Sequence, residues 1–147
     1  MRSLFISISL LILLAGCTSL GNQPIYNDNG VAVNGYDVVA YFTESKAVQG
    51  NPAFTVRYNN INWLFSNEKH QQLFSSNPQQ YVPQYGGYCA YAMSDGFVVD
   101  TDPNAFTVYQ DKLYLNYSLS VRDNWLDNRN RFIAEADIHW QKKIRQP

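Results

Sequence analysis

Residues 54–74 read FTVRYNNINWLFSNEKHQQLF, and this stretch decides the fold. Phe54 to Tyr58 alternates apolar and polar side chains as a half-buried strand does, and Ile61 to Phe65 alternates again. Between them Asn59-Asn60 predicts a hairpin turn, because asparagine tolerates the positive φ that tight hairpins need. Ser66 then predicts a helix N-cap, with Glu68 in the first turn where the helix dipole favours an acid. The helix is expected from Asn67 to about Ser75, with His70, Leu73 and Phe74 on one face. Strand, turn, strand and helix in such quick succession point to the α+β class.

The same reading extends in both directions. Upstream, Tyr36 to Phe42 is a β-type run. Downstream, Asn77-Pro78 predicts a short helical turn through Tyr81, stopped by Pro83. Tyr85 to Ala92 (YGGYCAYA) opens on glycines and is expected to continue as a buried strand. Phe97–Val99, Phe106–Tyr109 and Lys112–Tyr117 read as short strands, with Gln110-Asp111 as a tight turn between the last two. Val121 to Ile144 carries Trp125, Phe132, Ile133, Ala136, Trp140 and Ile144 at three-to-four-residue spacing, which predicts one amphipathic helix covering a sheet face. The expected architecture is therefore a small, mostly antiparallel sheet with one short helix and a long C-terminal amphipathic helix packed on it. No repeat of fixed period stands out.

Composition narrows the function. The chain has 147 residues, Lys+Arg 11 against Asp+Glu 12, and 46% hydrophobic residues of which many are aromatic. That balance excludes a nucleic-acid surface, which needs excess cations, and excludes a disordered tail. The N-terminus reads as a targeting segment: Arg2, an apolar run from Leu4 to Leu14, then Leu14-Ala15-Gly16-Cys17. The run is too short to span a bilayer, so a cleaved signal over residues 1–16 is expected. Small residues ending in cysteine resemble the bacterial lipobox, in which the cysteine carries the lipid, palmitate included, and becomes the first mature residue. Cys17 would then be the membrane anchor, residues 17–33 a lipidated tether ordering only near Val31, and residues 34–147 the folded domain. Thr18 follows the cysteine, so the resemblance implies an outer-membrane lipoprotein facing the periplasm.

Processing changes the cysteine arithmetic. Removing residues 1–16 leaves 131 residues and takes away one charge, Arg2, leaving ten cations against twelve anions. With Cys17 lipidated, Cys89 is a lone thiol in a compartment where cysteines usually pair. Three readings of Cys89 stand side by side: a small buried hydrophobe, a soft-metal ligand, or a redox thiol. Gly86-Gly87 reads as backbone geometry, because no Lys-Ser/Thr follows it as a phosphate loop requires. Asp100 and Asp102 read as a turn, and no hydrolase or zinc-protease motif is present, so a non-enzymatic role is expected.

Several segments together resemble the YHS-domain family. They are Asn34-Gly35-Tyr36-Asp37-Val38-Val39-Ala40-Tyr41-Phe42, Phe65-Ser66-Asn67-Glu68, Asn77-Pro78 and the block from Tyr81 to Ala90 (YVPQYGGYCA). Asp102-Pro103, Lys112 to Asn116, and Ala136-Asp137 with Trp140 complete the likeness, which covers residues 34 to about 140. Val38 departs from the proline more usual there. The resemblance implies a metal-binding module, since relatives are appended to copper- and heavy-metal-transporting ATPases, and it implies that Cys89 is a reactive position. The expected ligand set is Cys89 with His70, joined by Met93, holding copper or zinc; His139 is a weaker candidate. A four-ligand structural zinc site would need carboxylates or a second chain. The alternatives are a thiol-redox protein using Cys89, or an envelope module that binds a small apolar ligand or an envelope protein in an aromatic cleft lined by Tyr85, Tyr88 and Tyr91.

Overall fold

Two β-hairpins, each leading into a side-chain-capped helix, organise residues 23–145, the part of the chain that the structure, a computed structural model, describes. The first pairs β3 (Asn51–Tyr58) with β4 (Ile61–Phe65); β1 (Asn27–Asp28) and β2 (Val31–Ala32) precede them in the chain. The second pairs β5 (Asp102–Tyr109) with β6 (Lys112–Asn116). Both turns place their two central residues in the left-handed region: Asn59 and Asn60 at φ 51° and 63°, Gln110 and Asp111 at 49° and 57°. This is the two-residue turn whose twist matches that of the strands it joins.

The hairpins repeat one register at a constant offset of 51 residues. Asn51 faces Phe65 and Asp102 faces Asn116; Tyr58 faces Ile61 and Tyr109 faces Lys112. Each ladder slips at the same place, between Asn51 and Thr55 and between Asp102 and Phe106. A helix follows each: α2 (Glu68–Ser76), whose Asn67 cap accepts from the His70 N–H at 2.9 Å, and α5 (Leu119–Asp127), whose Ser118 cap accepts from the Val121 N–H at 3.2 Å. A short helix also precedes each, α1 (Ala40–Thr43) and α4 (Ala90–Ser94), entered from a 3₁₀ turn at Val33–Gly35 or Gln84–Gly87. Residues 33–76 and 84–127 thus share one arrangement. Few identities mark it in the sequence, Gly35 and Gly86, Pro52 and Pro103, or Tyr58 and Tyr109 among them. Backbone hydrogen bonding, rather than side-chain identity, carries the likeness, so it escapes a search for periodic residues.

The α+β expectation holds, with specific corrections. The run from Tyr36 to Phe42 is not a strand: the Asp37 carboxyl accepts the N–H groups of Val39 and Ala40 at 2.9 and 3.2 Å and starts α1. Tyr85 to Ala92 is not a strand either, because Tyr85, Gly86 and Gly87 all take positive φ and Cys89 then caps α4. Phe97–Val99 is irregular. The C-terminal helix breaks at Asn128, whose φ of −144° and ψ of 43° leave helical space, into α5 and α6 (Arg129–Ile144). The apolar side of α6 lies mainly on α4, not on a sheet face. The first sheet is mixed, with order β1-β2-β4-β3, because β2 pairs parallel to β4.

Nor does order begin near Val31. Ile25 is buried, β1 and β2 form a small hairpin, and the Tyr26 N–H donates to the Gly86 carbonyl at 2.8 Å. The stretch from Gln23 is therefore docked on the domain, while Cys17 and the leader lie outside the described residues. Two cores result. Trp63, Phe65, Phe74, Tyr41, Val38 and Val39 pack with Leu113 and Leu115; Tyr85, Tyr88, Met93, Tyr114 and Trp125 pack with Ala136. Among the described residues no helix is long and apolar enough to cross a membrane.

Candidate functional site

Cys89 sits where Asp37 sits in the other half. The Asp37 N–H donates to Val48 O at 2.8 Å, and the Cys89 N–H donates to Val99 O at 2.9 Å. Asp37 Oδ1 accepts the N–H three residues on, from Ala40, and Cys89 Sγ accepts the N–H three residues on, from Ala92, at 3.5 Å. Asp37 Oδ2 accepts the N–H of Ser66, just beyond β4, at 2.8 Å; the Tyr117 N–H, just beyond β6, reaches Cys89 in the same way. Each side chain ties a short helix to the end of the following hairpin.

The two hubs differ in their chemistry. Asp37 is fully buried and also accepts from Ser66 Oγ at 2.7 Å and from His70 Nδ1 at 2.7 Å. The far nitrogen of that ring, Nε2, lies 3.1 Å from Thr43 Oγ1 and 3.8 Å from Glu44 Oε1. Since Nδ1–H donates to the carboxylate, a neutral His70 accepts the Thr43 hydroxyl. A carboxylate, an imidazole and a hydroxyl in series is the connectivity of an activated nucleophile. Yet Val39 O, 3.2 Å from Thr43 Oγ1, competes for the same single hydroxyl proton, and none of four surface clefts of about 190–440 Å³ is lined by His70 or Thr43. The chain of groups closes on its own backbone and acts as a structural tie.

At the second hub Cys89 is 1% exposed and donates to Asn116 Oδ1 at 3.6 Å, an oxygen that also accepts the Tyr91 N–H at 3.0 Å. Asn116 is fully buried and its Nδ2 meets no protein acceptor. Burial pushes the thiol above its ordinary value of 9.0, against the pull of the Ala92, Tyr117 and Tyr91 N–H groups. At neutral pH it is a thiol, not a thiolate.

The expected ligand set is therefore not assembled. His70 is held by Asp37 on α2, which packs on its own hairpin, and Cys89 is held by Asn116; they share no partner. Met93 is buried one turn along α4 from Cys89, in the second core. His139 packs over Gly96, where an added Cβ would come within 2.9 Å of its Nδ1. Among the described residues no group of three or more His, Cys, Asp or Glu is placed to hold a metal ion.

Of the three tyrosines expected to line a pocket, Tyr85 alone borders one of these four clefts. Tyr88 clamps the N-terminal stretch: its hydroxyl donates to Gln23 O at 3.0 Å and its ring lies 5.6 Å from that of Tyr26. Tyr91 meets Phe132 edge-on at 4.9 Å. Tyr85 borders a cleft of about 410 Å³ whose other walls include Pro24, Ile25, Val82, Pro83, Trp140 and Ile144. Its ring stands edge-on to Trp140 at 6.2 Å, and its hydroxyl donates to Asp137 Oδ1 at 2.9 Å, which fixes the ring against α6. Burial and that carboxylate push the Tyr85 hydroxyl well above the usual phenol range. Gly86 makes the floor. Its φ of 62° and the Pro24 carbonyl against it leave no room for a Cβ.

No family model matches the chain, and no curated protein or solved structure is significantly similar to it. The residues that sequence reading passed over are Asp37, Asn116 and the site role of Trp140. Asp37 carried a signal, an Asp three residues before Ala40, but the β-type run around it masked the cap.

Proposed function

We propose that this chain is a lipid-anchored envelope domain of YHS type that works as a binding module. Its recognition site is the cleft between Tyr85 and Trp140. One observation carries this reading: the cleft combines a rigid aromatic and aliphatic wall with a backbone turn that only glycine permits at position 86. A concavity whose rings and aliphatics share the lining with the amides of Asn59, Gln79 and Gln84 suits an amphiphilic ligand. The thiol has the geometry of a helix cap, and its burial works against redox use.

The test is a titration with the fluorescent apolar probe anilinonaphthalene sulfonate. Trp140→Ala should weaken binding about tenfold, the loss of one buried aromatic contact. Cys89→Ser should leave it unchanged. Equal binding by the wild type and Trp140→Ala removes the proposal.

A soft-metal reading keeps one supporting observation: Cys89 and Met93 lie one helical turn apart and both are buried. It requires the thiol to lose its proton and to leave Asn116. Stoichiometric Cu(I) uptake that disappears in Cys89→Ser would establish it in place of the cleft reading.

A further inference from the structure

We infer that the pole of the molecule carrying this cleft is a membrane-docking face for anionic lipid; the inference rests on the lipid anchor and the cleft proposed above. Two independent features converge on that pole. The first is where the chain leaves it. Gln23 is held by the Tyr88 hydroxyl, and the next two residues, Pro24 and Ile25, line the cleft beside Trp140 and Ile144. Six peptide steps separate Cys17 from Gln23, a reach of at most about 20 Å even when fully extended. A lipid on Cys17 therefore keeps this pole within about 20 Å of the bilayer surface.

The second feature is the chemistry of the last two turns of α6. Ile138 and Ile144 are 59% and 46% exposed, an unusual display for large aliphatic side chains. Ile138 shares a second surface hollow of about 440 Å³ with Gln141, Lys142 and Arg145, so cations flank the apolar residues. Half-buried Trp140 lines the first hollow, and its neighbour Gln141 on the helix lines the second. Exposed aliphatics, an interfacial tryptophan and flanking Lys and Arg are what a helix lying in a headgroup layer presents. The acid that lines this second hollow, Asp137, accepts from the Tyr85 hydroxyl, and Asp100 stands nearer the chain exit, beside Tyr26 and Tyr88. The chain as a whole carries a net charge of −1, so cations gathered at this end set it apart from the remainder.

Tryptophan fluorescence reads the docking directly, because Trp63 and Trp125 are buried at 1% and 0% and Trp140 is the accessible one of the three. The full-length protein, anchored by its own N-terminus, is reconstituted in vesicles of acyl-brominated phosphatidylcholine with and without phosphatidylglycerol. Bromine should quench about one tryptophan's share of the emission in the anionic vesicles, and Trp140→Phe should abolish that quenching while the core tryptophans keep their blue emission. Lys142→Gln with Arg145→Gln should lower the docked-to-undocked ratio about thirtyfold, and added salt should act in the same direction. Trp140 unquenched in anchored protein overturns the inference. So does quenching that ignores both lipid charge and the double substitution. Because probe binding to the cleft is measured without vesicles, a cleft that binds the probe but stays away from lipid sinks this inference alone. A cleft that does neither sinks both.

Discussion

The two halves of this domain build the same joint from different chemistry. In the first, a buried carboxylate at Asp37 collects the Val39, Ala40 and Ser66 N–H groups, the Ser66 hydroxyl and the His70 ring. In the second, a thiol at Cys89 takes the Ala92 and Tyr117 N–H groups and leans on Asn116. The backbone donors are equivalent, offset by about 51 residues, yet the acceptors differ in charge and strength. A joint of this kind needs an acceptor of small size at one position, and either residue satisfies it. Cys89, which drew attention in the sequence, is thus, in the structure, the weaker of two helix ties.

That comparison can be broken in order of effect. Asp37→Ala should be the most damaging change, costing on the order of 3–5 kcal/mol in a denaturant melt, because five donors, the His70 imidazole among them, lose their acceptor. If Asp37→Ala costs no more than Cys89→Ala, the carboxylate is not the stronger tie.

At the second hub Cys89→Ala should cost about 1–2 kcal/mol through the lost cap. Cys89→Asp should fold at least as well as Cys89→Ala, because the same N–H donors already accept a carboxylate in the other half. Failure of Cys89→Asp to fold where Cys89→Ala does would show that the two joints are not interchangeable. The thiol adds a pH term of defined sign. Its folded value is raised, so the folded protein holds the proton when the unfolded chain has lost it. That contribution is complete below the ordinary value of 9.0 and fades as pH rises through the folded value, and Cys89→Ser should remove this part of the alkaline loss.

Much of the fold was legible from local signals. Asn59-Asn60 and Gln110-Asp111 each announce a turn by side-chain chemistry, and the structure keeps both. The α2 cap falls on Asn67, one residue after the expected Ser66, and the Ser118 cap of α5 is masked by reading one long helix from Val121. The failures share a cause. Tyr36 to Phe42 and Tyr85 to Ala92 are apolar because they are buried on every side, and burial without alternation does not separate a strand from a short helix. The break at Asn128 interrupts the apolar stripe only by a change in direction, which spacing does not reveal. The site was legible in part: Tyr85 was expected at a pocket, but its partners Pro24, Ile25 and Trp140 come from the two far ends of the chain. Only the docking of residues 23–26 against Gly86 brings those ends together.

The central claim is that the working surface is the cleft and not the thiol. An amide-nitrogen chemical-shift map taken while a short-chain amphiphile is added tests it most directly. The account predicts shifts at Tyr85, Gly86, Ile144 and the Trp140 indole N–H, with Tyr91, Ala92 and Met93 unmoved. Shifts confined to Tyr91, Ala92 and Met93, around Cys89, would contradict it.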